Sequence, residues 1–166
     1  GGFKGETTIK FINEVSDYRG VHFFEPEPEN FNEAKKELAS YDDIYFYQLG
    51  LAEEKKTLRL KSGAGTASKI SEDGDLEIAI NTIDNIIEEK VSFIKMDIEG
   101  AELFALQGAE EHIKNDHPKL AICCYHKPDD FWQIPKYILE IREDYKLYLR
   151  HYTEGLTETV MFFIPK

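Results

Sequence analysis

The 166-residue chain is poor in several residue types that mark large protein classes. It has two cysteines, Cys123 and Cys124, and they are neighbours. Adjacent residues of a strand point to opposite faces, so these two are not expected to pair, and two cysteines make no secreted disulfide framework. A pair of buried thiols in a reducing, cytoplasmic protein is the expectation. Basic residues are also short: Lys plus Arg number 20 against 32 Asp plus Glu, a net charge of −12. That deficit argues against a nucleic-acid partner or an anionic membrane surface, since both need clustered Lys and Arg against phosphate. No apolar run approaches the roughly 20 residues that span a bilayer, and no signal peptide opens the chain. There is no initiator Met, so an N-terminally truncated or processed product is expected. Metal-ligand spacing is missing too. His117, Cys123, Cys124 and His126 form neither CxxC nor HExxH, so no metal is expected.

What is present suits one globular domain over residues 1–166. Eleven Phe, nine Tyr and one Trp supply core material, and 42% of residues are hydrophobic, which excludes wholesale disorder. Apolar residues recur at helical spacing over residues 7–15 and 29–39, and helices are also expected over 101–114 and 131–142. Thr82 is placed to cap a short helix over Ile83, Ile86 and Ile87. Strands are expected at 21–25, 44–49, 57–61, 77–80, 91–98 and 120–125. A C-terminal hairpin follows, with strands 147–152 and 159–164 flanking Thr153-Glu154-Gly155-Leu156. Residues 62–75, rich in Gly, Ser and charge, read as a loop. This alternation predicts an α/β fold: an open, mostly parallel sheet with helices on both faces and one antiparallel strand in the hairpin.

Ligands of such sheets sit beyond the carboxyl ends of the strands, so those positions hold the candidate functional residues. Gly1-Gly2-Phe3-Lys4-Gly5-Glu6-Thr7 opens a helix, where backbone N–H groups can approach a ligand closely. Glu25 ends a strand, where an acid can accept both hydroxyls of a ribose; the alternative is a solvated acid before the Pro26 turn. Gln48-Leu49-Gly50-Leu51 offers a flat apolar edge for an aromatic base. The most informative run is Phe93-Ile94-Lys95-Met96-Asp97-Ile98-Glu99-Gly100-Ala101-Glu102. Period two puts Phe93, Lys95 and Asp97 on one face, and a lysine in an apolar strand needs a partner. Asp97, Glu99 and Glu102 are at hand. A structural ion pair with an acidic helix start competes with a functional site there.

Those ten residues resemble the FIKIDVEGAE signature of FkbM-type S-adenosylmethionine-dependent methyltransferases. The resemblance extends over nearly the whole chain. Gly1 to Thr7 is similar to the family's glycine motif, and Val21 to Phe31 to its AFEPNPENF segment. Leu49-Gly50-Leu51 and Gly65-Thr66-Ala67-Ser68 resemble its LGLS and GTSS stretches, and the strand ending at His126 resembles the one that follows. The resemblance implies a Rossmann-like methyltransferase sheet whose first strand is missing here, with S-adenosylmethionine as donor and a hydroxyl of a small molecule or carbohydrate as acceptor. By position, Gly1, Gly2 and Phe3 would contact the methionine half, Glu25 with Pro26 the ribose, and Gly50 and Leu51 the adenine. Asp97 would face the methyl or acceptor region. Asp97, Glu99 and His126 are the candidate bases, with Lys95 orienting the acids. A binding-only or inactive module is the main alternative. A nicotinamide dehydrogenase is a weaker one, because GxGxxG is absent. The slot left by a missing first strand could be filled by a second copy of the chain.

Overall fold

The computed structural model describes residues 1–60 and 76–166. The loop expected over residues 62–75, with its Gly65-to-Ser68 motif, lies outside the described residues. The chain forms two compact units, residues 1–50 with 56–80 and residues 51–55 with 81–166.

The first unit begins with α1 (Glu6–Glu14), β1 (Val21–Phe24), α2 (Pro28–Glu37) and β2 (Ile44–Tyr47). Pro28 starts α2, where its missing N–H costs nothing, and Lys35 and Lys36 occupy the last turn, where the helix dipole favours positive charge. Phe31 and Ala34 sit one turn apart and are buried. β1 and β2 pair in parallel, Val21 opposite Ile44 and Phe24 opposite Tyr47, and parallel neighbours require a crossover such as α2 supplies. Phe23, Ala34 and Leu38 form a core against which Ile9, Tyr41, Ile44 and Phe46 pack. Three short strands follow: β3 (Gly50–Leu51), β4 (Lys56–Leu60) and β5 (Leu76–Asn81), arranged β3-β5-β4. β4 and β5 run antiparallel, with Leu58 opposite Ile78. This antiparallel pair is additional to the single reversed strand expected from sequence.

In the second unit, α3 (Ile83–Ile86) is a single turn capped as expected, the Thr82 hydroxyl accepting from the Asn85 N–H at 3.0 Å. There follow β6 (Phe93–Met96), α4 (Glu102–Gln107), α5 (Glu110–Asp116), β7 (Lys119–Cys123), α6 (Asp130–Ile141), β8 (Tyr145–His151) and β9 (Thr159–Pro165). Their ladder is β6-β7-β9-β8. β6 and β7 are parallel, whereas β9 runs antiparallel to both β7 and β8, so the C-terminal hairpin supplies the one reversed strand of this ladder. Leu120, Ile122, Ile134, Ile138 and Phe163 are fully buried.

One expected helix is two. The span 101–114 breaks at Gly108, where a Cβ would lie 2.1 Å from the Ala52 carbonyl oxygen. The Gly108 carbonyl accepts from the Asp84 N–H at 3.0 Å, and the Asp84 carboxylate in turn receives the N–H groups of Glu111 and His112 at 3.0 and 3.2 Å. The close approach and this capping from α3 fix the corner between α4 and α5. Among the described residues, no helix is long and apolar enough to cross a membrane.

Candidate functional site

In the first unit the glycine loop lies on the end of β1. The Gly2 N–H donates to the Phe24 carbonyl at 3.0 Å, and the Gly2 Cα rests on the Phe23 ring, leaving no space for a Cβ. Phe3 adopts φ 47°, in the left-handed region that few non-glycine residues enter. Its N–H then points at Glu25 and donates to Oε2 at 2.8 Å. Glu25 Oε1 accepts from the Glu27 N–H at 3.0 Å, and the Glu25 N–H donates to the Tyr47 carbonyl at 3.1 Å.

Glu25 is 7% exposed. Burial pushes its carboxyl above the usual range, against the pull of the Glu27 and Phe3 N–H groups. The structure thus joins the glycine loop and the strand-end acid. Pro26 follows Glu25, and a Cβ on Gly50 would lie 3.9 Å from the Pro26 Cβ, so these two candidates are neighbours as well. Leu51 completes β3 beside Gly50.

In the second unit the ends of β6 and β7 gather the other candidates. Burial alternates along β6: Phe93 is exposed, Ile94 buried, Lys95 half-buried and Met96 buried, so the expected face carries Lys95 toward Asp97. Lys95 Nζ lies 3.7 Å from Asp97 Oδ2. Beyond β6, Glu99 and Gly100 are left-handed in succession, at φ 56° and 91°. Gly100 tolerates this readily, whereas Glu99 does so at some strain, and the reversal starts α4.

His126, just past β7, sits among acids. Its Nε2 lies 3.5 Å from Asp97 Oδ1 and 3.6 Å from Glu99 Oε2. Its Nδ1 lies 2.9 Å from Glu102 Oε1, yet off the line a ring hydrogen bond needs, so neither ring nitrogen has a hydrogen-bond partner. Burial pulls the imidazole down, but Glu102, Glu99 and Asp97 outweigh it and hold it above its ordinary value. Lys95, Asp97, Glu99 and His126 are therefore brought together.

Four further groups belong to this cluster and were missed as site residues. Glu102, read from sequence as one acid among several at a helix start, is fully buried, and its Oε1 accepts the Ile98 N–H at 2.8 Å. The Tyr125 hydroxyl donates to Asp97 Oδ1 at 3.0 Å; burial and then Asp97 push the phenol upward. Asp130 is 3% exposed, raised by burial and by Glu102. Lys127 bonds the Gly100 carbonyl. For Tyr125 the sequence offered no signal beyond its place beside His126 at a strand end. Lys127, Asp130, Phe104 and Gln133 help line an adjacent hollow of about 420 Å³. Cys123 and Cys124 are free and buried. Burial, and then Asp97, raises the first thiol; burial, with Asp130 and Glu102, pushes the second up to about 11.

No curated protein matches the chain. Among solved structures, it is similar to the methyltransferase FkbM of Methylobacillus flagellatus KT, with 30% identity and a TM-score of 0.83 over 99% of this chain and 42% of that one. This chain therefore spans less than half the length of that protein. A "putative rRNA-methylase" of Clostridium thermocellum shares the mixed α/β fold at 12% identity and a TM-score of 0.53, over 99% and 84% of the two chains. The family model of the methyltransferase FkbM domain matches residues 1–153. With most of its length matched in this way, the chain belongs to the FkbM methyltransferase domain family.

Proposed function

We propose that the chain transfers a methyl group from S-adenosylmethionine to a hydroxyl oxygen of a small molecule or sugar. The observation that carries this reading is the meeting of His126 and Asp97 beyond the ends of two parallel strands, with Nε2 and Oδ1 3.5 Å apart. Each unit by itself holds a parallel strand pair, β1–β2 in the first and β6–β7 in the second, and parallel pairs of this kind are what a Rossmann-like fold is built from. The two buried thiols fit a cytoplasmic setting.

The residues present suit such a donor. A carboxylate offers about four lone-pair positions, and Glu25 uses two on backbone N–H groups, leaving two for the ribose hydroxyls. Gly1, Gly2 and Phe3 would hold the methionine half, Pro26 would flank the ribose beside Glu25, and Gly50 and Leu51 would lie on the adenine side. When bound, S-adenosylmethionine supplies a methyl group made electrophilic by its sulfonium sulfur. The chain's own part is to fix the acceptor and remove its proton. His126 Nε2 would receive that proton, and Asp97 would stabilise the imidazolium that results. Lys95 and Tyr125 hold Asp97 from its two oxygens, which keeps one orientation in place.

Calorimetric titration of the chain with S-adenosylhomocysteine tests the reading. Saturable heat is expected, and its absence would sink the methyl-donor reading and leave the inactive-module alternative. Glu25→Ala should weaken that affinity about tenfold or more, given about 1.5–3 kcal/mol for a hydrogen bond to a charged group. An unchanged affinity would remove Glu25 from the ribose role.

A further inference from the structure

The acid cluster of the second unit contains more charge and more unused donor atoms than proton transfer alone requires. Asp97, Glu102 and His126 come from three separate stretches, the ends of β6 and β7 and the first residue of α4. One donor atom of each lies within 4.8 Å of the other two. Glu102 is fully shielded from solvent and its Oε2 has no hydrogen-bond partner. The His126 side chain is 9% exposed, and both its ring nitrogens lack one as well. Unsatisfied buried polar atoms are uncommon in native proteins, and each one calls for a cause.

An imidazolium clamped by two carboxylates would be the bland cause. It accounts poorly for the geometry. A charged ring buried between acids is stabilised by linear N–H···O bonds, and here Nδ1 approaches Glu102 to 2.9 Å without one. It also sets one imidazolium among several acids, since Asp130, held by the Lys127 N–H at 3.2 Å, is buried beside Glu102 as well.

We infer that Asp97, Glu102 and His126 form a binding site for a divalent first-row cation. Two carboxylates and one imidazole make a mixed oxygen–nitrogen set, suited to Mn²⁺, Fe²⁺ or Zn²⁺, and three protein ligands leave positions open for water or an acceptor oxygen. The supporting contacts that orient metal ligands are present. The Ile98 N–H holds Glu102 Oε1 at 2.8 Å and the Tyr125 hydroxyl holds Asp97 Oδ1 at 3.0 Å. Lys95 lies nearer the other Asp97 oxygen, Oδ2. This reverses the expectation of no metal, with a ligand set that shares only His126 with the four residues weighed from sequence. The site's role rests on the methyl-transfer reading: a bound cation would acidify the acceptor hydroxyl, and His126, engaged as its ligand, would give up the proton-accepting role. Glu99, whose Oε2 is 3.6 Å from Nε2, would then receive the proton.

The test is titration of the EDTA-treated chain with Mn²⁺, reading free ion by its electron paramagnetic resonance signal. One saturable site per chain is expected. Asp97→Asn, a change of nearly the same shape at a partly exposed position, should weaken it at least tenfold. Glu110→Gln, an acid on α5, should leave it unchanged. Circular dichroism verifies that both variants are folded. Weak, non-saturating uptake, or equal affinity in Asp97→Asn, overturns the proposal. S-adenosylhomocysteine calorimetry on the same metal-free sample separates the two readings. Nucleoside binding without a manganese site sinks the cation site alone, and a manganese site without nucleoside binding sinks the methyl-donor reading alone.

Discussion

Replacing Gly2 by Ala probes the contact on which the glycine loop depends. A methyl group there would lie 2.2 Å from Phe23 Cζ and 2.5 and 2.6 Å from its Cε atoms, where carbon atoms in contact keep about 3.5–4.0 Å. The ring has no free direction to move. Phe23 is 3% exposed, lies in the core with Ala34 and Leu38, and has the Phe46 ring at 5.5 Å. The loop must therefore lift, stretching the Gly2–Phe24 bond first and the Phe3–Glu25 bond with it. Overpacking of this kind costs about 1–3 kcal/mol. For a domain of this length that is a fall in Tm of about 2–12 °C. Urea denaturation followed by circular dichroism measures the loss, and S-adenosylhomocysteine affinity should fall in parallel because Phe3 and Glu25 move. Gly155→Ala is the control, since nothing lies within 4 Å of its added carbon. Shortening the ring with Phe23→Leu should make Gly2→Ala less costly than it is beside the intact ring, a coupling that a double-mutant cycle isolates. If Gly2→Ala proves as harmless as Gly155→Ala, or costs the same with and without the ring, the packing argument is wrong.

Gly108→Ala should also destabilise, by about 1–3 kcal/mol, because its methyl would meet the Ala52 backbone oxygen at 2.1 Å; an unchanged urea midpoint would contradict the tight corner between α4 and α5. His117 predicts a pH effect. Burial, with Arg142 next, holds its imidazole below 6.5, so the unfolded chain binds the proton more readily. Its contribution to stability is present above pH 6.5 and is lost as pH falls through the folded value. His117→Asn, which suits the left-handed backbone at φ 54°, should flatten that part of the stability–pH curve; an identical slope in both proteins would show that another group is responsible.

Much of this was legible in local pattern. Glu25 and Asp97 stood out because each ends an apolar run, and polar residues at strand ends mark the ligand side of such folds. The Thr82 cap and the C-terminal hairpin were legible for the same reason, since short-range chemistry fixes them. The break at Gly108 was not. Leu106, Ala109 and Ile113 keep helical spacing across it, and the Ala52 backbone and the Asp84 cap, both distant in sequence, force the corner. Glu102 escaped because a helix-start acid is ordinarily solvated, and its burial depends on Ile98 and His126 closing over it. The left-handed turn at Phe3 is equally nonlocal, as the side chain gives no reason for it and the Glu25 carboxylate does.

The two adjacent free thiols where β7 ends have a practical use. Only the thiolate attacks an alkylating reagent, and Cys124, at about 11, with Cys123 also raised, supplies little of it near neutral pH. Iodoacetamide would thus react as the strand comes apart, and the mass gained would clock each opening of the sheet from within, without any introduced label.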